Sequence, residues 1–361
     1  MKQDAALADD DLLSKVVLSE DETDYTAEVR ELMPADMKPQ YTMTTERLVR
    51  RFGPKPENIR SYGAFIQAAP GEITAIMGPS GAGKTVLLKM LCGYDQPSAV
   101  LTSSGGMDSA MVKNAIQICG LSGEAGLSRL GYVPQGDVMY PELTTEESLR
   151  YRMQLRFGNL LTESDIQQCI THSCLELLRL DGTEVVITKD STVKKKIGQM
   201  DWQGAYPSGG QRRRINIAHE LVLEPSVLVL DEPTSGLSSK DSEDLMEALF
   251  RLAKAKQLCI IMTIHQPSDN MFRKIDDLLL LVRGGRLAYY GKRALALSWI
   301  QENLKEALGK EKLDKAMCSA NEAEAIMNLV DTKEGGQILP SSFNGFLLKQ
   351  GRNLEKCTIL T

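Results

Sequence analysis

Eight residues constrain this chain more than any others: Gly78-Pro79-Ser80-Gly81-Ala82-Gly83-Lys84-Thr85, which satisfies G-x-x-x-x-G-K-[ST] at every fixed position. Before them runs Glu72-Ile73-Thr74-Ala75-Ile76-Met77, short, apolar and rich in β-formers. After them come Val86 to Cys92, apolar at helical spacing and closed by Gly93. Strand, glycine turn and helix in that order form the context in which the pattern cradles phosphate groups. The glycines let the turn close tightly and aim successive backbone N–H groups inward. The helix N-terminus adds roughly half a positive charge at the same place. In this reading Gly78 to Thr85 line a phosphate site, Lys84 reaches the terminal phosphates and Thr85 offers its hydroxyl to Mg²⁺. Taken alone, the same residues also fit a simple turn between strand and helix, and the rest of the chain has to decide.

Composition narrows the classes. A chain of 361 residues can bury a substantial core and divide into two or three lobes. Its 42% hydrophobic and 25% charged residues are ordinary for a soluble globular protein. The net charge of -6 argues against a nucleic-acid partner, which calls for a basic surface. Seven cysteines, an odd number scattered from Cys92 to Cys357, imply no disulfide framework. Cys169 and Cys174 lie close together but lack partners at zinc spacing, so the thiols read as reduced packing groups of a cytosolic compartment. No apolar run approaches the ~20 residues that span a bilayer. The longest candidate, Leu278 to Val282, has the length of a buried strand, and the N-terminus carries no apolar signal segment. Residues 1–43 are dense in Asp and Glu and read as a solvated, largely disordered tail.

Folded sequence begins near Thr44. Leu48 to Phe52 reads as a strand, and Ala64 to Ala68 as a second one ending at the Pro70-Gly71 turn. Phe52 is the candidate for stacking on an adenine face, with Tyr62 the alternative; a packing role competes for both. Val100 to Ser128 reads as a variable β-hairpin or insertion. Leu130 to Val133 forms a strand leading into a loop at Gln135. Thr144 with Glu146 and Glu147 opens a helix through Arg156, and the helical pattern continues to about Lys196, a lobe inserted into an α/β frame. Ser208-Gly209-Gly210-Gln211 and Arg212 to Arg214 start an amphipathic helix through Leu223, with the three arginines read as a solvated face. Val227 to Leu230 run into Asp231-Glu232; a helix from about Ser239 to Lys256 follows; Leu258 to Ile264 form another buried strand ending at His265. Two more strands fall at 277–282 and 286–290. Such alternation, with nearly continuous apolar strands, predicts a largely parallel sheet covered on both faces.

The chemistry sharpens at Asp231-Glu232. A buried parallel strand delivers two carboxylates to the edge of the sheet from which phosphate loops also emerge. Asp231 there would hold Mg²⁺, directly or through water. Glu232 would orient or deprotonate an attacking water.

The phosphate loop, Gln135, Ser208 to Gln211, Asp231-Glu232 and His265 follow the order and rough spacing of ATP-binding-cassette nucleotide-binding domains, and over residues 45–335 the chain resembles that family. Glu232-Pro233-Thr234-Ser235-Gly236-Leu237 and Thr263-Ile264-His265-Gln266-Pro267-Ser268 resemble the G subfamily, the White-type and pleiotropic-drug-resistance half-transporters. So do Cys318, Asn321, Ala323-Glu324 and Leu329-Val330. The resemblance implies a phosphate-loop NTPase fold over residues 44–295: a mainly parallel sheet, an antiparallel β subdomain, and an inserted helical subdomain at about 142–222. Residues 296–361 would form a helical extension toward a transmembrane part. It also implies that Gln135 senses Mg²⁺ and the γ-phosphate, and that His265 contacts the γ-phosphate and the hydrolytic water. Ser208, Gly209, Gly210 and Gln211 would cap ATP held by a second cassette; their hydroxyl, amides and helix N-terminus suit an anion. His172 and His219 lack such context and read as structural. Two positions depart from the family pattern: Pro207 opens the signature loop, which its fixed φ tolerates before a helix, and Ser238 stands where the family's D-loop carries Asp.

The function implied by the resemblance is that of an ATP-binding and ATP-hydrolysing subunit of a G-type transporter, with ATP and Mg²⁺ as ligands. It would dimerise with a second cassette and serve a transmembrane partner at the cytoplasmic face of a membrane. A soluble cassette of translation or DNA maintenance fits less well, because the chain has one motif set, no heptad arm and no basic surface. A degenerate cassette that binds ATP as a regulatory switch finds support only in Ser238 and Pro207.

Overall fold

The apolar runs become strands and the periodic stretches between them become helices. The computed structural model describes residues 42–52, 59–102, 106–136, 138, 143–170, 208–319 and 321–349. The acidic tail, most of the second half of the helical lobe, Pro207, His172 and Cys174 lie outside the described residues. In chain order, β1 (Met43–Thr45), β2 (Leu48–Arg51), β3 (Ile59–Ala64), β4 (Gln67–Ala68) and β5 (Ile73–Met77) lead into α1 (Lys84–Leu91). Then come β6 (Ala99–Leu101), β7 (Met107–Asp108), β8 (Ile116–Ile118), β9 (Leu121–Ser122), α2 (Gly123–Leu127) and β10 (Leu130–Val133). Helices α3 (Thr145–Phe157), α4 (Glu163–Cys169) and α5 (Gly209–Leu221) precede β11 (Val227–Leu230), α6 (Ser239–Lys256), β12 (Cys259–Thr263) and α7 (Asp269–Phe272). Last are β13 (Asp277–Val282), β14 (Arg286–Lys292), α8 (Arg293–Met317), α9 (Glu322–Val330) and α10 (Lys333–Lys349).

Ten strands form one sheet in the order β10-β11-β12-β5-β13-β14-β3-β2-β6-β7. From β10 to β13 every pairing is parallel. Val227 to Leu230, Cys259 to Met262 and Leu278 to Leu281 are wholly inaccessible, as a parallel sheet covered on both faces requires. Each such Leu, Ile or Val contributes about 1.5–3 kcal/mol by burial, which explains why these runs are uninterrupted by polar residues. Beyond β13 the pairing of β14, β2, β6 and β7 is antiparallel, β14–β3 excepted. A second sheet, β4-β1-β8-β9, is antiparallel throughout. The stretch 100–128 is therefore no single hairpin; it supplies strands to both sheets. The strand expected over Ala64 to Ala68 also divides. β3 pairs with β2 in the large sheet and β4 with β1 in the small one, so the chain changes sheets at the buried Phe65 and Ile66.

Helix α3 starts where its Thr cap predicts. Thr144 Oγ1 accepts from the Glu147 amide at 3.2 Å, and Glu147 Oε2 accepts from the Thr144 amide at 2.8 Å, closing a capping box. Helix α6 spans the range read from the sequence, Ser239–Lys256. Helix α9 packs against α7, α8 and α10, and helices α8 and α10 pack onto the β13–β14 side. Tyr289, Trp299 and Phe343 meet there with ring centroids 5.4 to 6.0 Å apart.

The order β10-β11-β12-β5 is the part of the topology that assembles a site. Four parallel neighbours send the loops at their C-terminal ends to one edge, so the loops at Gln135, Asp231, His265 and Gly78 converge there, although they are far apart in sequence.

Candidate active site

Leaving β5, the chain passes through left-handed backbone at Gly81 (φ 77°) and Gly83 (φ 89°) before α1 begins at Lys84. Gly78 lies so close to β13 that a side chain there would overlap the Leu281 carbonyl. The ammonium of Lys84, a residue only 7% exposed, folds back over the loop, donating to the carbonyls of Gly78 at 2.8 Å and Pro79 at 3.3 Å. Burial pushes the lysine below its ordinary pKa, while the carboxylates of Glu232 and Asp231 pull it back up. A cation held by neutral carbonyls beside two acids, over a helix N-terminus whose first N–H groups have no intrahelical acceptor, fits a phosphate chain.

The acids are placed by the strand ends. The Asp231 amide donates to the Val133 carbonyl at 2.9 Å, so its side chain starts where β10 and β11 end together. Asp231 is 4% exposed; its Oδ1 accepts from Thr263 Oγ1 at 2.7 Å and, at the limit of bonding, from Thr85 Oγ1 at 3.5 Å. Glu232 sits in left-handed backbone (φ 45°), uncommon for a side-chain-bearing residue and worth about 1–3 kcal/mol of strain. Its amide donates to the same Thr263 hydroxyl at 2.8 Å, and its Oε2 accepts from Gln135 Nε2 at 2.8 Å. Lys84, Thr85, Gln135, Asp231 and Glu232 are thus brought into one electrostatic and hydrogen-bonded group. Thr263 fastens both acids, a role the sequence does not signal, because a threonine ending an apolar strand has no pattern of its own.

His265 follows two residues after Thr263 and stands exposed at the same edge. Ser208 and Gln211 cap each other at the start of α5: Gln211 N donates to Ser208 Oγ at 3.1 Å, and Ser208 N to Gln211 Oε1 at 2.7 Å. Ser208 and Gly209 are exposed, whereas Gly210 is buried tightly against Asp241. Ser238 caps α6, accepting from the Asp241 amide at 3.1 Å and donating to Asp241 Oδ2 at 2.7 Å. His219, read as structural, lies 2.9 Å from Ser148 Oγ, and burial holds its pKa down at about 4.

One reading is overturned. Arg212 is exposed, but Arg213 is 4% exposed and its guanidinium donates to the Pro134 carbonyl at 2.8 Å and the Gln135 carbonyl at 2.6 Å. On α5, positions 213, 216 and 220 share a face, and Asn216 Oδ1 likewise accepts from the Val138 amide. That spacing of polar groups among Ile215, Ile217 and Ala218 was the available signal of an inward-facing polar stripe. Phe52 is exposed on one side and covered on the other by the Arg50 guanidinium, 4.6 Å from its centroid. Tyr62 packs with Val49, Ala99 and Leu101.

Among the described residues no group of three or more His, Cys, Asp or Glu side chains could itself hold a metal ion. The donors here, one carboxylate, one hydroxyl and one amide, suit Mg²⁺, which takes few protein ligands and shares substrate phosphates.

A converging edge of this kind, on a parallel sheet with an antiparallel sheet beside it, is the fold of ATP-binding-cassette ATPase domains, and residues 64–235 match the family model for the ABC transporter. Its similar curated proteins include members of the ABC transporter G family. The chain is 39% identical over 223 residues to ABC transporter G family member 28 of Arabidopsis thaliana, covering 62% of this chain and 18% of that protein. It is 36% identical over 254 residues to member 26 of the same plant, covering 68% of this chain and 32% of that one. Against ABC-type transporter claG of Penicillium crustosum it is 35% identical over 234 residues, covering 64% and 28%. The chain thus spans less than a third of the length of each of these relatives. Among solved structures, cbiO1 from Clostridium perfringens, part of the ABC transporter complex cbiONQ, shares the fold with a TM-score of 0.56 at 21% identity, covering 74% of this chain and 96% of that one. The dimeric bacterial cassette MJ0796 gives 0.52 at 20%, covering 70% and 98%.

Proposed function

We propose that this chain binds and hydrolyses ATP, with Mg²⁺, as the cassette of a G-type transporter. The observation that carries the reading is the Gln135–Glu232 hydrogen bond beside Lys84 and Asp231, because it joins a candidate general base to an amide at a phosphate-loop site. Gly78 to Thr85 hold the phosphate chain, with Lys84 exchanging its carbonyl partners for phosphate oxygens. Thr85, Asp231 and Gln135 hold Mg²⁺, which supplies charge neutralisation at the phosphates. Glu232, its backbone held by Thr263, orients and deprotonates the attacking water, and exposed His265 contacts the terminal phosphate. Ser208 to Gln211 serve a nucleotide held by a second cassette, so two chains complete two sites. A dimeric relative in fold supports that arrangement.

A membrane partner is proposed because each of the three relatives is named a transporter and is far longer than this chain. No described helix is long and apolar enough to cross a membrane, so the spanning part would be supplied by residues or a chain beyond those described. A cleft of about 390 Å³ between β10 and α3, flanked by Tyr94 (70% exposed) and Leu155 (88% exposed), supports a docking role at this face. The site would then work at the cytoplasmic side. Ser238 caps α6 through Asp241, and the regulatory-switch reading rests on the D-loop carboxylate that this serine replaces. In the test, Glu232→Gln lowers ATP turnover by ~10²–10⁴-fold, the usual worth of a placed general base, while ATP still drives dimer formation. Unchanged turnover would overturn the assignment.

A further inference from the structure

Gln135 is exposed and sits in a loop, yet its amide must be held at Glu232 for the pair to act together. Its backbone is fixed by Arg213, whose planar guanidinium spans two successive carbonyls, Pro134 and Gln135, at 2.8 and 2.6 Å. Two hydrogen bonds from one rigid fork define an orientation as well as a distance, which a single bond does not. Arg213 lies in the first turns of α5, five residues after Ser208, where α5 starts. A continuous physical link therefore runs from the Ser208 loop through Arg213 and Gln135 to Glu232. Asn216, one turn further along the same face, accepts from the Val138 amide at 3.3 Å, so α5 holds the chain at a second point, three residues beyond Gln135.

We propose that Arg213 is a positioning residue: it sets the pose of Gln135 against Glu232, and through it a shift of α5 caused by a ligand on Ser208 to Gly210 reaches the carboxylate of the other nucleotide site. This rests on the function proposed above. Loss of the fork frees the loop without removing any group that touches substrate, so the effect falls on turnover rather than on binding.

ATP hydrolysis by the full chain is measured for Arg213→Met, Arg213→Lys, Gln135→Ala and the double variant Arg213→Met/Gln135→Ala. Arg213→Met is expected to lower kcat by roughly 10–100-fold, the cost of about an ångström of misplacement, with KM within about threefold. Arg213→Lys, able to reach one carbonyl, recovers part of the loss. In the Gln135→Ala background Arg213→Met costs nothing further, a non-additivity that general destabilisation does not produce. An independent, multiplicative loss in the double variant, or wild-type kcat in Arg213→Met, overturns the proposal. If Arg213→Met does not fold, Arg213→Lys with and without Gln135→Ala makes the same comparison. If the wild-type chain does not hydrolyse ATP, the proposed function fails separately. The Gln135 side-chain amide NMR signal then tests the link: it moves in Arg213→Met toward its position in Glu232→Ala, or, if it stays, the link is refuted.

Discussion

Thr263 bears on both acids through one oxygen, and its removal can be worked through. Its hydroxyl is fully buried; it donates to Asp231 Oδ1 at 2.7 Å and accepts from the Glu232 amide at 2.8 Å. Thr263→Val keeps the shape and β-branching of the side chain, so strand packing at β12 is preserved. The variant loses a hydrogen bond to a charged group, worth about 1.5–3 kcal/mol, and leaves an amide without its acceptor at about 1–3 kcal/mol. The two losses share one group and relax together, so the net expectation is about 2–4 kcal/mol, a large share of a domain's typical 5–15 kcal/mol. Urea unfolding followed by circular dichroism should show the midpoint falling at constant m. Turnover should fall with it, because the left-handed backbone at Glu232 has lost its tether, while Thr263→Ser restores stability to within about 1 kcal/mol. A Thr263→Val unfolding free energy within ~0.5 kcal/mol of wild type would refute the claim that this hydroxyl fastens the carboxylate pair.

Other substitutions separate the roles. Lys84→Ala should weaken nucleotide affinity by ~10²-fold or more, about the worth of a charge-assisted hydrogen bond, as read by fluorescent-nucleotide titration; unaltered affinity would count against the phosphate loop. Gly78→Ala should force the loop away from the Leu281 carbonyl, costing about 1–3 kcal/mol and nucleotide affinity together; a stable, fully binding variant would show that the close approach is unimportant. His219 has a folded-state pKa of about 4, below its usual 6.5, so its neutral form is the native one. Its contribution is present above pH 6.5 and is lost as pH falls toward 4, by roughly 3 kcal/mol. His219→Gln should flatten that part of the stability–pH curve; an unchanged slope would remove His219 as its cause.

Much of the fold was legible because the physics involved is local. The Thr144 capping box, the bounds of α6 and the uninterrupted apolar strands β11, β12 and β13 follow from propensity, capping and the need to cover both faces of a parallel sheet. The failures came where pairing partners decide. Ala64 to Ala68 reads as one strand, yet the chain crosses between sheets there. Arg213 is the sharpest case. In sequence it sits in a run of three arginines beginning a helix, which in general is a solvated face. Only the packing of α5 against the end of β10 brings two backbone carbonyls to its guanidinium and makes burial of the charge tolerable.

The sequence by itself determined that a phosphate loop, two strand-end acids, a glutamine and a histidine occur in cassette order, because strand and turn chemistry act over a few residues. Tertiary structure alone decided that these groups share one edge, that Thr263 fastens the acids and that Arg213 holds Gln135. Those facts depend on which strands lie side by side. In this chain Asp231 and Thr263 are 32 residues apart, Gln135 and Glu232 97 apart, and no local pattern records their meeting.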